Sequence, residues 1–292
     1  MVNKIFSFTG RKIIKLKLLA LINQYHDQLT EIYSPSEAKA ITRIIVQEVT
    51  GWNQLDIALH HQSEVEIEKE NLILAILKRL MTHEPMQYIL GYEIFCGLKF
   101  IVNPDVLIPR PETEDLVRWI VEIEKNPKKI LDIGTGSGCI AIALKYFLPK
   151  SEVFAVEVSK DALVVAQQNA TLNKLTVTFE LQDIIWEEIT SKFDIIVSNP
   201  PYVGLDEKHE MFKNVLAYEP HLALFAKDPL FFYDVISEIA KTALEPNGKI
   251  YFECNEYYTD KIALLLKNKG YQEIAIKKDF AEKDRMISAK WH

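Results

Sequence analysis

The chain has 292 residues, 48% of them apolar and 26% charged, an ordinary globular composition that excludes disordered and collagen-like chains. Its 34 Lys and Arg against 41 Asp and Glu leave a net charge of −7. That balance argues against broad, sequence-independent binding to a phosphate backbone, which wants a basic face.

The N-terminal stretch Met1 to Ile22 is apolar but interrupted by Arg11, Lys12, Lys15 and Lys17, and no small-residue cleavage site follows. An amphipathic helix is therefore expected there rather than a signal peptide. No run of about 18 apolar residues exists, so no membrane span is expected, and the expected location is the cytoplasm. Ser34-Pro35-Ser36-Glu37 starts a helix: Ser34 can cap, Pro35 suits the first position and Glu37 completes a capping box. Ile41, Ile44, Ile45 and Val49 continue at helical spacing until Gly51. A second apolar helix is predicted from Asn71 to Met81. Residues 1–83 hold ten Lys/Arg and nine Asp/Glu, so this helical domain is nearly neutral and is expected to bind a partner or cover a site. His60-His61 has no third ligand at metal spacing and is expected on a surface.

Residues 84–112 change character. Pro85, Gly91, Gly97, Pro104, Pro109 and Pro111 punctuate short β-type runs, which predicts a hairpin connector. From residue 113 strands and helices alternate. Strands are expected at Lys129–Asp132, Val153–Val158, Thr176–Leu181, Phe193–Ser198 and Lys249–Cys254. Helices are expected at Glu114–Glu124, from the glycine-rich turn to Leu144, and at Asp161–Asn169, Phe231–Leu244 and Asp260–Asn268. Such alternation predicts a doubly wound, mostly parallel α/β sheet. The runs Tyr271–Lys277 and Arg285–Lys290, with no helix between them, predict an antiparallel edge. Three widely spaced cysteines, Cys96, Cys139 and Cys254, build no disulfide framework and no CxxC metal pattern, and are expected to be buried thiols.

Asp132-Ile133-Gly134-Thr135-Gly136-Ser137-Gly138 follows a strand and opens a helix, where ligands of doubly wound sheets bind. Its GxGxG spacing, with Cys139 where a third glycine would stand, departs from the dinucleotide fingerprint, and no GxxxxGK[ST] loop is present. A carboxylate at Asp132 would repel a pyrophosphate and attract an ammonium, which favours S-adenosylmethionine over NAD. Glu157 ends the next strand, where an acid suits two ribose hydroxyls. Asp183 follows the third, where a carboxylate can accept from an adenine amino group. Each acid alone could be a solvated loop carboxylate; three after successive strands, beside the glycines, point to a ligand.

Asn199-Pro200-Pro201-Tyr202 ends the fourth strand. Adjacent prolines have fixed φ and no N–H, so their carbonyls can be held as acceptors, and the Asn199 side-chain oxygen adds another. Two acceptors beside a tyrosine ring can hold a planar NH2 group and aim its nitrogen at an electrophilic methyl. The plain alternative is a Pro-Pro turn that stops a strand.

These residues resemble a known family. LDIGTGSG (131–138), EV (157–158), SNPPY (198–202) and IPRPETE (108–114) are similar to the bacterial N5-glutamine methyltransferases of peptide chain release factors, as are EPMQYILGYEIFCGLKF (84–100) and EPHLALF (219–225). The likeness covers roughly residues 70–292. It implies a class I methyltransferase domain with a seven-stranded sheet over 113–292, behind an all-α substrate-recognition domain (1–83) and the connector (84–112). It further implies that Gly134, Thr135, Gly136, Ser137, Gly138 and Glu157 bind S-adenosylmethionine, and that Asn199, Pro200, Pro201 and Tyr202 hold the glutamine of the Gly-Gly-Gln loop of class I release factors. Asn199, Pro200 and Tyr202 are the catalytic candidates, and Asp132, Asp183, Ile184 and Asn199 complete the donor set. One departure stands out: the family often has Trp after the acid matching Asp183, whereas here Ile184 follows and the tryptophan is Trp186. That leaves the adenine contact to the Ile184 backbone. Pro109-Arg110-Pro111-Glu112 either closes over the donor or ends a strand. Two other readings remain at this point: amino-methylation of adenine in DNA or RNA, which shares the NPPY element but wants a basic surface, and a donor-binding regulatory module, which would not need an amide clamp.

Overall fold

The computed structural model describes residues 17–204, 208 and 213–292. Most of the helix expected over Met1–Ile22 therefore lies outside the described residues. The chain divides into two units, Met1–Ile89 and Leu90–His292.

In the first unit α1 (Leu18–Leu29), α2 (Pro35–Thr50), α3 (Gln54–Leu59) and α4 (Ile67–Leu80) follow one another, and α5 (Met86–Leu90) spans the division. Ser34 Oγ accepts from the Glu37 N–H at 3.3 Å, one half of the expected box, and Gly51 closes α2 at φ +73°. A complete capping box stands instead at Asn53 and Asp56, opening α3. The α4 helix starts four residues earlier than Asn71, because Glu68 and Glu70 in its first turn complement the positive end of the helix dipole. Leu18, Leu21, Tyr25 and Leu29 of α1 repeat at helical spacing and pack on Ile41 and Ile45 of α2 and on Ile73, Leu77 and Leu80 of α4.

The second unit opens with β1 (Tyr92–Phe95) and β2 (Leu98–Ile101), antiparallel around Cys96-Gly97, both at positive φ. Then come α6 (Pro111–Ile123), β3 (Lys129–Ile133), α7 (Cys139–Phe147), β4 (Glu152–Glu157), α8 (Lys160–Leu172), β5 (Thr178–Leu181) and β6 (Phe193–Ser198). After β7 (Val203–Gly204), α9 (Lys213–Tyr218), α10 (His221–Leu224) and β8 (Phe225–Ala226), the chain continues through α11 (Phe231–Ala243), β9 (Leu244–Glu253), α12 (Thr259–Asn268), β10 (Gln272–Lys278) and β11 (Asp284–Lys290). The main sheet has seven strands in the order β10-β11-β9-β6-β3-β4-β5. Strands β5, β4, β3, β6 and β9 are parallel; β11 runs antiparallel to both β9 and β10. The expected α/β sheet with a closing antiparallel pair is thus the observed one, with β11 inserted between β9 and the edge strand β10.

Successive residues of each strand feed opposite cores, as a doubly wound sheet requires. Ile130, Ile195, Val197 and Tyr251 pack against Leu116 of α6 and Ile140 of α7. Leu131, Ile196, Ile250 and Phe252 pack against Tyr233 of α11 and Ile262 of α12. The short β7–β8 pair, Val203 with Phe225 and Gly204 with Ala226, fastens the chain after the prolines to the end of the 219–225 segment; the sequence pattern shows no sign of it. No helix among the described residues is long and apolar enough to cross a membrane.

Candidate active site

A cavity of about 410 Å³ opens at the carboxyl ends of β3, β4 and β6. Its floor is the β3–α7 turn. Three glycines there have positive φ, +73° at Gly134, +55° at Gly136 and +81° at Gly138, which only glycine adopts without strain. Around the places where a Cβ would stand on Gly134 and Gly136, nothing lies within 4 Å, so the wall is open to a ligand. Gly138 differs: a Cβ there would meet Ile142 Cδ1 at 2.9 Å and Ala166 Cβ at 3.1 Å, and Gly138 does not line the cavity. It is a packing glycine that lets α7 approach α8.

The acids are held by the same turn. Glu157 Oε2 accepts from Gly136 N at 2.8 Å and Oε1 from Ser159 N at 3.0 Å, and Glu157 lines the cavity. Asp132 Oδ2 accepts from Thr135 Oγ1 at 2.6 Å and from Ala141 N at 3.2 Å. Its Oδ1 is buried without a hydrogen-bond partner among the described residues. Burial pushes this carboxyl up to about 7, with the two hydrogen bonds opposing and the Glu157 charge adding. Asp132 stands behind the wall, not on it. Thr135, Gly136 and Ser137 line it, with Asp183 and Ile184 at the far side. Asp183 Oδ1 accepts from Ile185 N at 3.0 Å, and Ile185 is a further wall residue that the sequence reading passed over. Trp186 is 83% exposed and lines nothing. Cys139 also reaches the wall, but burial pushes its thiol up to about 12, far from a reactive thiolate.

Asn199, Pro200 and Pro201 line the same cavity from the end of β6, the neighbour of β3. Tyr202 does not: its ring packs into the core on the α11 side, and burial pushes its phenol up. The ring expected to stack on a held NH2 group thus stands off the cavity wall and packs against the core. Asn199 Nδ2 donates to Thr113 Oγ1 at 3.3 Å, and Thr113 Oγ1 donates to Glu253 Oε2 at 2.6 Å. Glu253 is buried and ends β9, the parallel neighbour of β6. Burial pushes it up to about 7, against hydrogen bonds from Thr113 and Asn199 and the Arg285 charge.

The connector closes the remaining side with Pro104 to Leu107, Pro109 and Arg110, while Pro111 occupies the first turn of α6. Arg110 Nη2 donates to the buried Glu219 Oε1 at 2.5 Å, and Ile108 N donates to Glu219 Oε2 at 3.2 Å. The 108–114 and 219–225 segments thus clasp one another. Asn169 of α8 ties the hairpin to the floor: its Oδ1 accepts from Ile101 N at 2.6 Å, and its Nδ2 donates to Ser137 O at 2.9 Å. Glu253 and Asn169 went unnoticed in the sequence, and Thr113 and Glu219 stood there only inside the segments 108–114 and 219–225, with no role assigned to either. Glu253 carried a signal of its own, an acid where an apolar strand meets the carboxyl edge, the rule that picks out Asp132 and Glu157.

Residues 114–223 match the methyltransferase small domain family and residues 20–91 the PrmC N-terminal domain. A release factor glutamine methyltransferase of Flavobacterium psychrophilum is 44% identical over 283 residues, covering 91% of this chain and 98% of the relative. One from Bacteroides thetaiotaomicron is 42% identical over 277 residues, covering 94% and 99%. Among solved structures, a methyltransferase from Pyrococcus furiosus superposes with a TM-score of 0.52 at 19% identity, over 76% of this chain and 98% of that one, a likeness of fold.

Proposed function

The chain belongs to the release factor glutamine methyltransferase family, and from that premise we propose that its cavity brings S-adenosylmethionine against the side-chain amide of a release factor glutamine. The enzyme is a protein-glutamine N5 methyltransferase. The finer reading is that the glutamine sits in the Gly-Gly-Gln loop of class I release factors, that residues 1–83 recognise the substrate, and that the enzyme works in the cytoplasm, where translation terminates.

The residues present fit the donor. The open space over Gly134 and Gly136 accommodates a ligand against the backbone, and Glu157 keeps lone pairs beyond the two N–H groups it accepts from, enough for ribose hydroxyls. That Asp183 and Ile184 line the cavity supports an adenine contact on their side, and Asp132, behind the turn, braces it through Thr135. When bound, S-adenosylmethionine supplies an electrophilic methyl group.

The protein's own work is done at the nitrogen. An amide nitrogen is a poor nucleophile because its lone pair is delocalised. Asn199 Oδ1 and the Pro200 carbonyl accept its two N–H bonds, which fixes the amide plane and raises electron density on nitrogen. No strong base is required beforehand, because that N–H becomes acidic once the nitrogen is alkylated. The Arg110–Glu219 clasp and the apolar walls at Val106, Leu107 and Ile140 keep water out.

The observation that carries this reading is that the Asn199-Pro200-Pro201 run and the open glycine turn, at the carboxyl ends of the neighbouring strands β6 and β3, line one cavity. Offering the enzyme tritiated-methyl donor with a release factor and DNA side by side tests it: label should enter the release factor alone, and label in DNA would return the nucleic-acid reading. Asn199→Ala should lower single-turnover transfer by about 10²–10³, the loss typical of one pre-organised electrostatic contact.

A further inference from the structure

We infer that Thr113 and Glu253 are positioning residues that hold the Asn199 amide with its Oδ1 turned toward the substrate. The inference rests on the reading of Asn199 as an amide clamp. A clamp works only one way round: an Asn side chain has an acceptor at one end and two donors at the other, and a substrate NH2 group needs the acceptor. Nothing in the shape of the amide decides between the two orientations, since oxygen and NH2 are nearly isosteric. The hydrogen-bond partners must decide.

The network here does so by counting protons. A carboxylate only accepts, so Glu253 Oε2 takes the single hydroxyl proton of Thr113 at 2.6 Å. The Thr113 oxygen, its proton committed, can only accept from Asn199, at 3.3 Å. The Glu253 carboxylate makes the same demand, since a negative charge beside the Asn199 amide favours its NH2 end over its oxygen. Both partners therefore call for the NH2 end of Asn199, and Oδ1 is left for the cavity that Asn199 lines. The three residues come from α6, the turn after β6, and β9, and meet only in the folded sheet, with Glu253 and Thr113 both buried.

The order reverses when Glu253 is protonated. A carboxyl O–H can donate to Thr113, which then donates to Asn199, and the amide turns its oxygen inward. The charged and titratable groups that face Glu253 are Glu112 of α6, Arg285 of β11, Tyr202 beyond the prolines and the neighbouring Cys254. Cys139 of α7 faces it as well, and the Tyr233 hydroxyl donates to its backbone carbonyl at 3.0 Å. Arg285 is already engaged, its Nε with Asp279 at 3.1 Å and its Nη1 with the Cys254 carbonyl at 3.3 Å. It lowers the carboxyl's proton affinity without bonding to it, and burial dominates, so the group titrates near 7.

Four variants test this, each read by single-turnover transfer to a release factor, by KM for that protein and by calorimetric binding of S-adenosylhomocysteine. Thr113→Val, isosteric without the hydroxyl, should lower the transfer rate by about 10- to 100-fold while KM and S-adenosylhomocysteine binding stay within about threefold of wild type, the pattern of a contact felt in the transition state. Thr113→Ser, which restores the hydroxyl, should recover the rate to within about threefold. The wild-type rate should rise with pH through about 7, and Glu253→Gln, which cannot ionise, should lose that inflection. A Thr113→Val rate within about twofold of wild type, while Asn199→Ala is inactive, overturns the inference and leaves the clamp standing. An Asn199→Ala variant with wild-type rate overturns the clamp itself. An inflection that persists in Glu253→Gln removes Glu253 from the network.

Discussion

Gly136 and Gly138 sit two residues apart in one turn, both at positive φ, yet an added methyl should do different damage at each. At Gly138 the Cβ would stand 2.9 Å from Ile142 Cδ1, 3.1 Å from Ala166 Cβ and 3.3 Å from Ala166 Cα. The Ile142 methyl can rotate away, but the α8 backbone cannot retreat without moving the helix. Gly138→Ala thus combines about 1–2 kcal/mol for the left-handed backbone with about 1–3 kcal/mol for overpacking. At Gly136 no atom lies within 4 Å of the added Cβ, so only the backbone cost of about 1–2 kcal/mol applies. In urea unfolding Gly138→Ala should therefore be less stable than Gly136→Ala by the overpacking difference. Ligand binding should rank them the other way. The Gly136 methyl occupies cavity space, and calorimetric affinity for S-adenosylhomocysteine should fall by about tenfold or more, a loss of about 1.4 kcal/mol. Folded Gly138→Ala should bind within about threefold of wild type. Equal losses of stability and affinity in the two variants would refute the division between a packing glycine and a ligand-facing one.

Other consequences follow from the same geometry. Glu157→Ala leaves Gly136 N and Ser159 N without their acceptor and should weaken donor binding by about 1–3 kcal/mol, the range for hydrogen bonds to a charged group; an unchanged dissociation constant would remove Glu157 from the site. Trp186→Ala should leave S-adenosylhomocysteine binding unchanged by calorimetry, because the ring is 83% exposed and off the wall. Asp132 and Glu253 each hold a proton up to about 7 in the folded chain and release it near 4 when unfolded, so the stability they contribute is fully present below about pH 4 and is lost progressively as pH rises from about 4 to about 7. Tm should accordingly decline between about pH 4 and pH 7 and level off above that, less steeply in Glu253→Gln; a Tm that climbs across that window would mean that both carboxylates ionise freely in the fold.

Much of this protein is local and so was legible in its residues. Alternating apolar strands and amphipathic helices are periodic signals, and they determined the doubly wound sheet and its antiparallel close. The GxGxG turn, Glu157 and the Asn-Pro-Pro run announce themselves because backbone conformation and donor inventory depend on residue type at adjacent positions. Helix starts were legible in part. Ser34 caps as read, but the start of α4 was missed because Glu68 and Glu70 act through the dipole and leave no apolar mark.

The tertiary structure decided what lies between distant segments. Thr113 and Glu253 are 140 residues apart, Thr113 and Asn199 are 86 apart, and Arg110 and Glu219 are 109 apart. None of these pairs has a pattern along the chain, because each exists only where β6 and β9 become neighbours or where the connector meets the segment beside β8. Sequence likewise ranked Asp132, Gly138 and Tyr202 with the wall residues, and the fold set all three behind it. Residue type says what a side chain can bind; which face of the sheet it occupies, and what already holds it, depends on packing over the whole domain.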